Sequence, residues 1–380
     1  MINIEEASIS KKKWYPDFYI LGALLPIMGA GLITMKSFVG SGNFFSRQLM
    51  WICIAFIALY VASRIDFRFL KRTPVIVALY GLSLLSLVSL FVFGSITNGA
   101  KSWIDFGPFS IQPSDPAKLI LILLLAKYFS RRHIDIANIR HIIVSGAYAG
   151  IIFIIVALLP DFGSAITIFF IWFGMVLFSG ISKKHLALVF IMGAIIFSAA
   201  WQFGFKDYQK KRILNFITPS ADIRGSGYNA RQAMITIGSG QVFGRGIGYG
   251  TQSRLQFLPE YQTDFIFAAF AEEWGFVGVI ILIGLFSLII ARILYSASKG
   301  ETNFEILFGM GLAIFFVSHL IINIGMNIGL MPVTGIPVPF MSYGGSHLVT
   351  EFVGLGLLMS MRRYSRATHK DRINNEFLGY

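Results

Sequence analysis

The chain has 380 residues, of which 55% are hydrophobic and 13% are charged, and its formal net charge is +13. Soluble domains carry about 25% charged residues, so this composition excludes an ordinary soluble globular protein. The apolar residues form long blocks, and several reach the roughly 20 residues that a membrane-spanning helix needs. The composition therefore predicts an all-α polytopic membrane protein.

Ten apolar segments predict transmembrane helices. In chain order they cover residues 17–36, 47–65, 74–96, 116–130, 141–159, 162–181, 186–205, 264–296, 304–326 and 347–363. Segment 116–130 is short, whereas segment 264–296 is longer than one bilayer crossing and must protrude, tilt or break. The polar N-terminal stretch leads into a full-length span, so no cleaved signal peptide is expected.

The positions of Lys and Arg in the short loops predict the orientation of the chain. Most of them lie on the side of the N-terminus, and the opposite side holds only Lys36, Arg47, Lys101 and Lys118. Both termini are therefore expected in the cytoplasm. Residues 1–380 form one transmembrane domain in this interpretation, with cytoplasmic tails at 1–16 and 364–380.

A long segment, residues 206–263, separates the seventh and eighth predicted helices and lies on the outer side. It is basic and rich in glycine, and Arg212 and Arg231 are among its cations. A solvated loop is one interpretation, but loops of this length in compact proteins are usually functional. The positive charge indicates an anionic partner, with phosphate as the first candidate. Nucleic acid is not an expected partner, and GRGIGYG follows no predicted strand, as a nucleotide-binding loop would.

The stretch FLPEYQTDFIFAAFAEEWGF carries three carboxylates, Asp264, Glu272 and Glu273. An acidic side chain at a helix centre costs about 2.5–3.5 kcal/mol on insertion scales, so such residues are retained for pairing or function. Thr263 or Asp264 could cap the helix, or Asp264 could be a catalytic carboxylate beneath the basic segment. Glu272 and Glu273 would lie about 80° and 180° around a helix from Asp264, which argues against a shared metal site. Glu273 is expected to pair with another span.

Two further charged groups lie on the outer side. Asp115 and Lys118 are three residues apart and share a face if the helix has begun, either as a functional pair or as a cap with an ion pair. Ser114 or Asp115 would be the cap, with Pro116 in the first turn. Asp161 follows Pro160 between two spans, where turn chemistry is the alternative to function.

The stretch GLMPVTGIPVPFMSYGGSHL, which includes Ser342 and Tyr343, has too many Pro and Gly residues for a regular helix. Irregular backbone at membrane depth is tolerated only where protein or a water-filled cavity surrounds it. The pattern predicts a re-entrant segment that lines a site before helix 10.

Five stretches together resemble the SEDS family (shape, elongation, division and sporulation) of bacterial peptidoglycan glycan-chain polymerases. In chain order they are QPSDPAK, LLPDFGSA, GYNARQAMITIGSG, GTQSRLQFLPEYQTDFIF and PVTGIPVPFMSYGGS. GTQS followed by FLPE, and TGIPVPFMSYGG, are more similar to the elongation branch of that family than to the division branch.

The resemblance implies about ten transmembrane helices around an outward-facing cavity, with lipid II as substrate and glycosyl transfer as the reaction. It also implies the bacterial cytoplasmic (inner) membrane, contact with membrane lipids, and a class B penicillin-binding protein as partner. The essential aspartate of the family's TDFIF motif corresponds to Asp264. The family's acidic-x-x-Lys element corresponds to Asp115 and Lys118, and its Pro-Asp-Leu/Phe-Gly aspartate to Asp161. The family usually has Glu and a non-proline residue at Asp115-Pro116, and His at Gln262.

These correspondences lead to a mechanistic hypothesis in which Asp264 is the general base of an inverting transfer. Candidates for contacting the substrate pyrophosphate or lining the cavity are Lys118, Arg212, Arg231, Asp115, Asp161, Ser342 and Tyr343. A divalent cation, Mg²⁺ or Mn²⁺, held by Asp115 or Asp161 is a further hypothesis, and no organic cofactor is expected. A lipid II transporter (flippase) and a scaffold with purely structural carboxylates remain as alternatives.

Overall fold

The computed structural model describes residues 16–37, 44–97, 100–107, 109–131, 139–205, 209–210, 213–214, 216, 226–255 and 257–377. Within them, the helices are α1 (Phe18–Lys36), α2 (Phe44–Arg64), α3 (Thr73–Phe93), α4 (Ser114–Ser130), α5 (Ile139–Leu158), α6 (Phe162–Phe178), α7 (Lys183–Ala199), α8 (Ser226–Ser239), α9 (Thr251–Arg254), α10 (Ile266–Ser298), α11 (Asn303–Asn327) and α12 (Gly345–Phe377). A 3-10 turn (Phe67–Lys71) precedes α3, and a π-helical turn (Ala200–Gly204) extends α7.

The predicted helical membrane-protein architecture is confirmed. Within the described ranges, seven helices are long and apolar enough to cross a membrane, namely 18–36, 44–64, 73–93, 139–158, 183–204, 266–298 and 303–327. All ten predicted segments fall on helices, because unbroken apolar length is the strongest signal of a span. The number of crossings and the two cytoplasmic tails stay predictions; residues 1–15 lie outside the described residues.

The centre of the bundle is built around α4 and α11. Helix α4 packs against α3, α6 and α11, and most of its side chains are buried. This enclosure explains how so short an apolar segment is accommodated, since protein rather than lipid surrounds it. Helix α12 packs along α2, and α10 packs between α1 and α11.

A small antiparallel sheet between α3 and α4 had no counterpart in the sequence interpretation. Its strands are β1 (Ser95–Thr97), β2 (Ala100–Asp105) and β3 (Ser110–Ile111), paired in the order β1-β2-β3. The backbone N–H of Lys101 donates to the carbonyl of Leu159 at 3.2 Å. This bond holds the sheet against the connection between α5 and α6, close to Asp161.

Helix α10 is broken at Gly275, whose φ of +67° and ψ of −169° are non-helical. At the break, the N–H groups of Phe276 and Val277 donate to the carbonyls of Gln241 and Val242, at 2.9 and 3.1 Å. Segment 206–263, named the outer segment after its predicted side, thus replaces the helical hydrogen bonds lost at Gly275. Of the three predicted ways to fit segment 264–296, the chain uses a break.

Candidate active site

Asp264 lies in a turn just before α10, and neighbouring elements hold the backbone of this turn. The side-chain amides of Asn323 and Asn327 donate to the carbonyl of Asp264, at 2.9 and 3.2 Å. The N-cap position of α10 is Phe265, so the predicted cap at Thr263 or Asp264 is wrong. The physical reason is that partners outside the helix bind the carbonyls of this turn, which keeps its residues out of the first helical turn.

The predicted Pro/Gly-rich segment supplies the other anchors of this turn. The Ser342 hydroxyl donates to the carbonyl of Thr263 at 2.7 Å, and the backbone N–H of Tyr343 donates to the carbonyl of Gln262 at 2.9 Å. Ser342 Oγ also accepts from the Val338 N–H at 2.8 Å. The Ser342 side chain therefore links two backbone segments by hydrogen bonds. Its buried hydroxyl is already engaged, so the geometry gives it a positioning role.

The carboxylate of Asp264 is half-buried and points at a glycine. A Cβ on Gly335, whose φ is +74°, would stand 3.4 Å from Asp264 Oδ2. That distance is an ordinary contact, so it is the positive φ of this turn, rather than space beside the carboxylate, that favours glycine here. The result is a carboxylate on a backbone that is fixed independently of its side chain.

Asp115 and Lys118 form the expected pair on α4. Lys118 Nζ lies 3.2 Å from Asp115 Oδ1, and the two side chains are only 1% and 2% exposed. The N-cap position of α4 is Pro113, so the predicted cap at Ser114 or Asp115 is wrong. The Asp115 carboxylate instead accepts from the Ser346 hydroxyl at 3.0 Å and lies 3.4 Å from His347 Nδ1. Because Lys118 is enclosed, its ammonium balances Asp115 within the protein.

His347 and Glu351 extend this cluster along α12. His347 Nε2 lies 2.9 Å from Glu351 Oε1, so the imidazole stands between two carboxylates, those of Asp115 and Glu351. Glu351 Oε2 accepts the backbone N–H of Phe340 at 3.0 Å. The ring of His319 stacks on that of His347, with centroids 4.7 Å apart. Sequence reasoning missed this cluster. The i, i+4 spacing of His347 and Glu351 in an apolar helix was the available signal.

Asp161 occupies the N-cap of α6, which corresponds to the turn-chemistry interpretation. Its Oδ1 accepts the Ser164 N–H and its Oδ2 accepts the Gln112 side-chain amide, both at 3.0 Å. An N-cap oxygen satisfies one of the helix's unpaired N–H groups. The hydroxyls of Ser114 and Ser164 lie 3.2 Å apart, so the starts of α4 and α6 adjoin.

Glu272 and Glu273 fasten the outer segment to α10. Glu272 accepts from the N–H groups of Gln252 and Ser253 at 2.9 and 3.2 Å, and from the Ser253 hydroxyl at 2.8 Å. Glu273 accepts the Gly248 N–H at 2.7 Å. Thr34 and Ser37, at the end of α1, also interact with the Glu273 carboxylate, so Glu273 contacts both the outer segment and another span, as expected.

The basic residues proposed for pyrophosphate fall in two places. Arg231 is an exposed residue of α8, and this helix packs on α10 and α11. Two residues further on, Ala233 belongs to a buried cluster with Tyr261 and Phe265, which flank the Asp264 turn. Arg231 thus lies on the helix that covers the turn. Arg212 lies outside the described residues.

The donor groups fit a protein-bound metal poorly. Both oxygens of Asp115 and both oxygens of Asp161 already accept hydrogen bonds or pair with a charged side chain. Within the part of the chain that the structure describes, no three His, Cys, Asp or Glu side chains gather as a metal site. We therefore derive no step through a metal ion.

The sequence itself matches a known family over most of its length. Residues 17–367 match the family described as cell cycle protein, which groups FtsW, RodA and SpoVE. The chain belongs to this family. The resemblance to SEDS proteins noted in the sequence is thereby confirmed.

Relatives of this SEDS protein include curated enzymes and solved structures. It is 36% identical to the peptidoglycan glycosyltransferase MrdB of Escherichia coli K12, over 77% of this chain and 79% of MrdB. It is 32% identical to stage V sporulation protein E of Bacillus subtilis, over 94% and 100% of the two chains.

Two solved structures share the fold of this SEDS protein. One is a chain of a peptidoglycan synthase complex described as coordinating polymerization and crosslinking, with a TM-score of 0.79, 29% identity, and 92% and 98% of the two chains covered. The other is the rod shape determining protein RodA of Thermus thermophilus, with a TM-score of 0.68, 27% identity, and 91% and 96% covered. These similarities make the chain a RodA-like member of the family.

Proposed function

We propose that this protein is a peptidoglycan glycosyltransferase that polymerises glycan chains from lipid II, with Asp264 as its general base. Its curated relatives MrdB and FtsW carry the name peptidoglycan glycosyltransferase, which supports the class of enzyme. The observation that carries the role of Asp264 is its setting. Two asparagine amides and the Ser342 hydroxyl hold the turn by hydrogen bonds, while Asp264 stays partly exposed beside Gly335. A fixed backbone with an accessible carboxylate is what a positioned base requires.

The proposed step is a single displacement with inversion. Asp264 takes the proton of the acceptor sugar hydroxyl, the GlcNAc 4-OH of one lipid II, while that oxygen attacks the anomeric carbon of the donor MurNAc. The bond from that carbon to the pyrophosphate breaks, and its electron pair leaves with the pyrophosphate. An α-linked donor gives a β-linked product, so no covalent enzyme intermediate is required.

The leaving pyrophosphate needs positive charge more than it needs a proton. The exposed guanidinium of Arg231, on the helix that covers the Asp264 turn, is the described cation that best suits this role. Lys118 is enclosed with Asp115, so we assign it to holding the wall of the site. A bound Mg²⁺ or Mn²⁺ would have to displace existing partners of Asp115 or Asp161.

We further propose that the enzyme acts in cell elongation in the bacterial inner membrane, with both termini in the cytoplasm. The partner would be a class B penicillin-binding protein that cross-links the glycan. The similar chain in a peptidoglycan synthase complex, and the similarity to RodA, support this proposal.

The test is polymerisation of fluorescent lipid II by the purified protein in detergent, with and without its transpeptidase. A positioned base contributes typically 10²–10⁴-fold, so Asp264→Asn should lose about that factor while still inserting and folding. Asp105→Asn, which changes an exposed carboxylate on β2, is the matched control and should polymerise like the wild type. Near-normal polymerisation by folded Asp264→Asn would refute the assignment. Lipid II movement in liposomes without any polymer would favour the transporter instead.

A further inference from the structure

A continuous path of polar contacts joins Lys118 to the Asp264 turn. Lys118 pairs with Asp115, which contacts His347, which contacts Glu351. Glu351 accepts the N–H of Phe340 in the Pro/Gly-rich segment. Two residues on, Ser342 donates to the carbonyl of Thr263, next to Asp264. The path crosses four separate parts of the chain, namely α4, α12, residues 338–343 and the turn at 262–265.

Glu351 is the residue of this path that joins the charged cluster to the Pro/Gly-rich segment. It is 0% exposed, and each of its carboxylate oxygens has a different partner: Oε1 lies 2.9 Å from His347 Nε2, and Oε2 accepts the Phe340 N–H at 3.0 Å. A buried acidic side chain in an apolar bundle is costly and is retained for pairing or function. The mechanism proposed above makes no use of it.

The backbone that Glu351 holds is conformationally unfavourable. Phe340 has a φ of +61°, in the left-handed region that a bulky side chain rarely adopts. Such a conformation persists only when the surroundings over-determine it. The hydrogen bond from the Phe340 N–H to Glu351 is one such constraint. The bond between the Val338 N–H and Ser342 Oγ, which spans Phe340, is another.

We infer that Glu351 is a positioning residue that fixes the Asp264 turn, through Phe340 and Ser342, and ties it to the Asp115–Lys118 pair, through His347. Glu351 does not contact the reacting atoms in this role. It sets the place of the base by holding the segment on which the turn rests. The inference rests on the proposed function for its effect on catalysis, but its structural part can be measured separately.

The structural part is tested by amide hydrogen exchange of the full-length protein in detergent. Glu351→Leu removes both contacts and should raise exchange at residues 260–265 and 338–343 by about tenfold or more, because the turn loses its support. Glu351→Gln keeps an oxygen for the Phe340 N–H and should raise exchange less. Thr350→Val is the matched control, since Thr350 is a buried neighbour whose hydroxyl donates to the Ser346 carbonyl of the same helix at 2.9 Å.

Exchange at 260–265 that stays within about twofold of the wild type in folded Glu351→Leu would overturn the inference. If Glu351→Leu does not fold, Glu351→Gln decides: a rise in exchange at both segments supports the inference, and wild-type exchange at 260–265 overturns it. Equal increases in Thr350→Val would also overturn it, because the effect would then belong to α12 in general.

The catalytic part is tested by polymerisation kinetics. Misplacing a base should lower kcat of Glu351→Leu by about 10- to 100-fold while KM changes within about twofold, and Glu351→Gln should recover part of the loss. Because Glu351 and Ser342 lie on one path, the loss in the double variant Glu351→Leu/Ser342→Ala should be smaller than the product of the single losses. A fully multiplicative loss would refute the path. Absence of polymer from the wild type would count against the proposed function alone, and exchange would still judge the coupling.

Discussion

The turn at 262–265 and the helix break at 272–275 use carboxylates in opposite ways. At the break, the Glu272 carboxylate accepts hydrogen bonds from backbone N–H groups and a hydroxyl of the outer segment. At the turn, the anchoring bonds go to the carbonyl of Asp264, and its carboxylate remains partly exposed. Glu272 thus fixes backbone through its side chain, whereas the turn is fixed through the main chain of Asp264. Proximity in sequence alone would not have separated them.

The largest loss of stability is expected from a substitution that disturbs the helix break at Gly275. A Cβ on Gly244, whose φ is +82°, would stand 2.1 Å from the Glu273 carbonyl. Gly244→Ala should therefore lower the free energy of unfolding by about 3 kcal/mol or more, from backbone strain and overpacking together. Denaturant unfolding in detergent measures this. Gly284 lies on α10 with open space around its added methyl group, so Gly284→Ala should instead raise the free energy of unfolding by about 0.5–1 kcal/mol.

Removing the carboxylate at the break should have the next largest effect. Glu272→Ala leaves the buried donors of Ser253 and the N–H of Gln252 without their acceptor, so the free energy of unfolding should fall by about 2–3 kcal/mol. Limited proteolysis of the outer segment should speed up in parallel. An unchanged unfolding transition would mean that the outer segment does not depend on Glu272.

Asp17, at the start of α1, is a third case, a carboxylate held by cations. Burial alone would raise the pKa of Asp17, but Arg292 and Arg362, at 2.7 and 2.5 Å, outweigh it and hold that pKa below its usual value. A carboxyl with a lowered pKa contributes stability above its unfolded-state pKa, and this contribution is lost as the pH falls through its folded-state pKa. The thermal midpoint of the wild type should therefore fall below about pH 4. In Asp17→Asn the same drop should be smaller.

The smallest effect on stability is expected at the turn. Asp264→Asn leaves the carbonyl and its two asparagine partners unchanged, so the free energy of unfolding should change by less than about 1 kcal/mol. Measured beside the activity loss predicted above, this separates a residue kept for chemistry from one kept for architecture. A loss as large as that of Glu272→Ala would erase the distinction.

The helices were predictable because the length of an apolar run is a local property. All ten segments lie on helices, and even the anomaly of segment 264–296 was visible as excess length. The position of its break was not predictable. The N–H groups that follow Gly275 find their acceptors in the carbonyls of Gln241 and Val242, more than 30 residues away along the chain. Local sequence does not show which distant backbone will supply a hydrogen bond.

The candidate site was predictable to a similar degree. The pairing of Asp115 with Lys118 followed from their spacing. The outer position of Asp264 rests on the charge of the loops and stays a prediction. The caps at Thr263 or Asp264 and at Ser114 or Asp115 were wrong, because carbonyls and carboxylates there bind partners from other helices. The cluster of His347 with Glu351 was missed, since its partners Asp115 and Phe340 come together only in the folded bundle.

The path from Lys118 to Asp264 also bears on the order in which the protein matures during synthesis. Its midpoint, Glu351, lies in the last helix, so the early helices can enter the membrane long before the Asp264 turn gains its final support. Elements that are far apart in the chain pair late, and a nascent chain folds from its N-terminus. We therefore expect a chain that ends before residue 345 to insert its first helices and yet show no polymerisation. Co-expression of residues 345–380 as a separate fragment would test whether the missing helix alone completes the site.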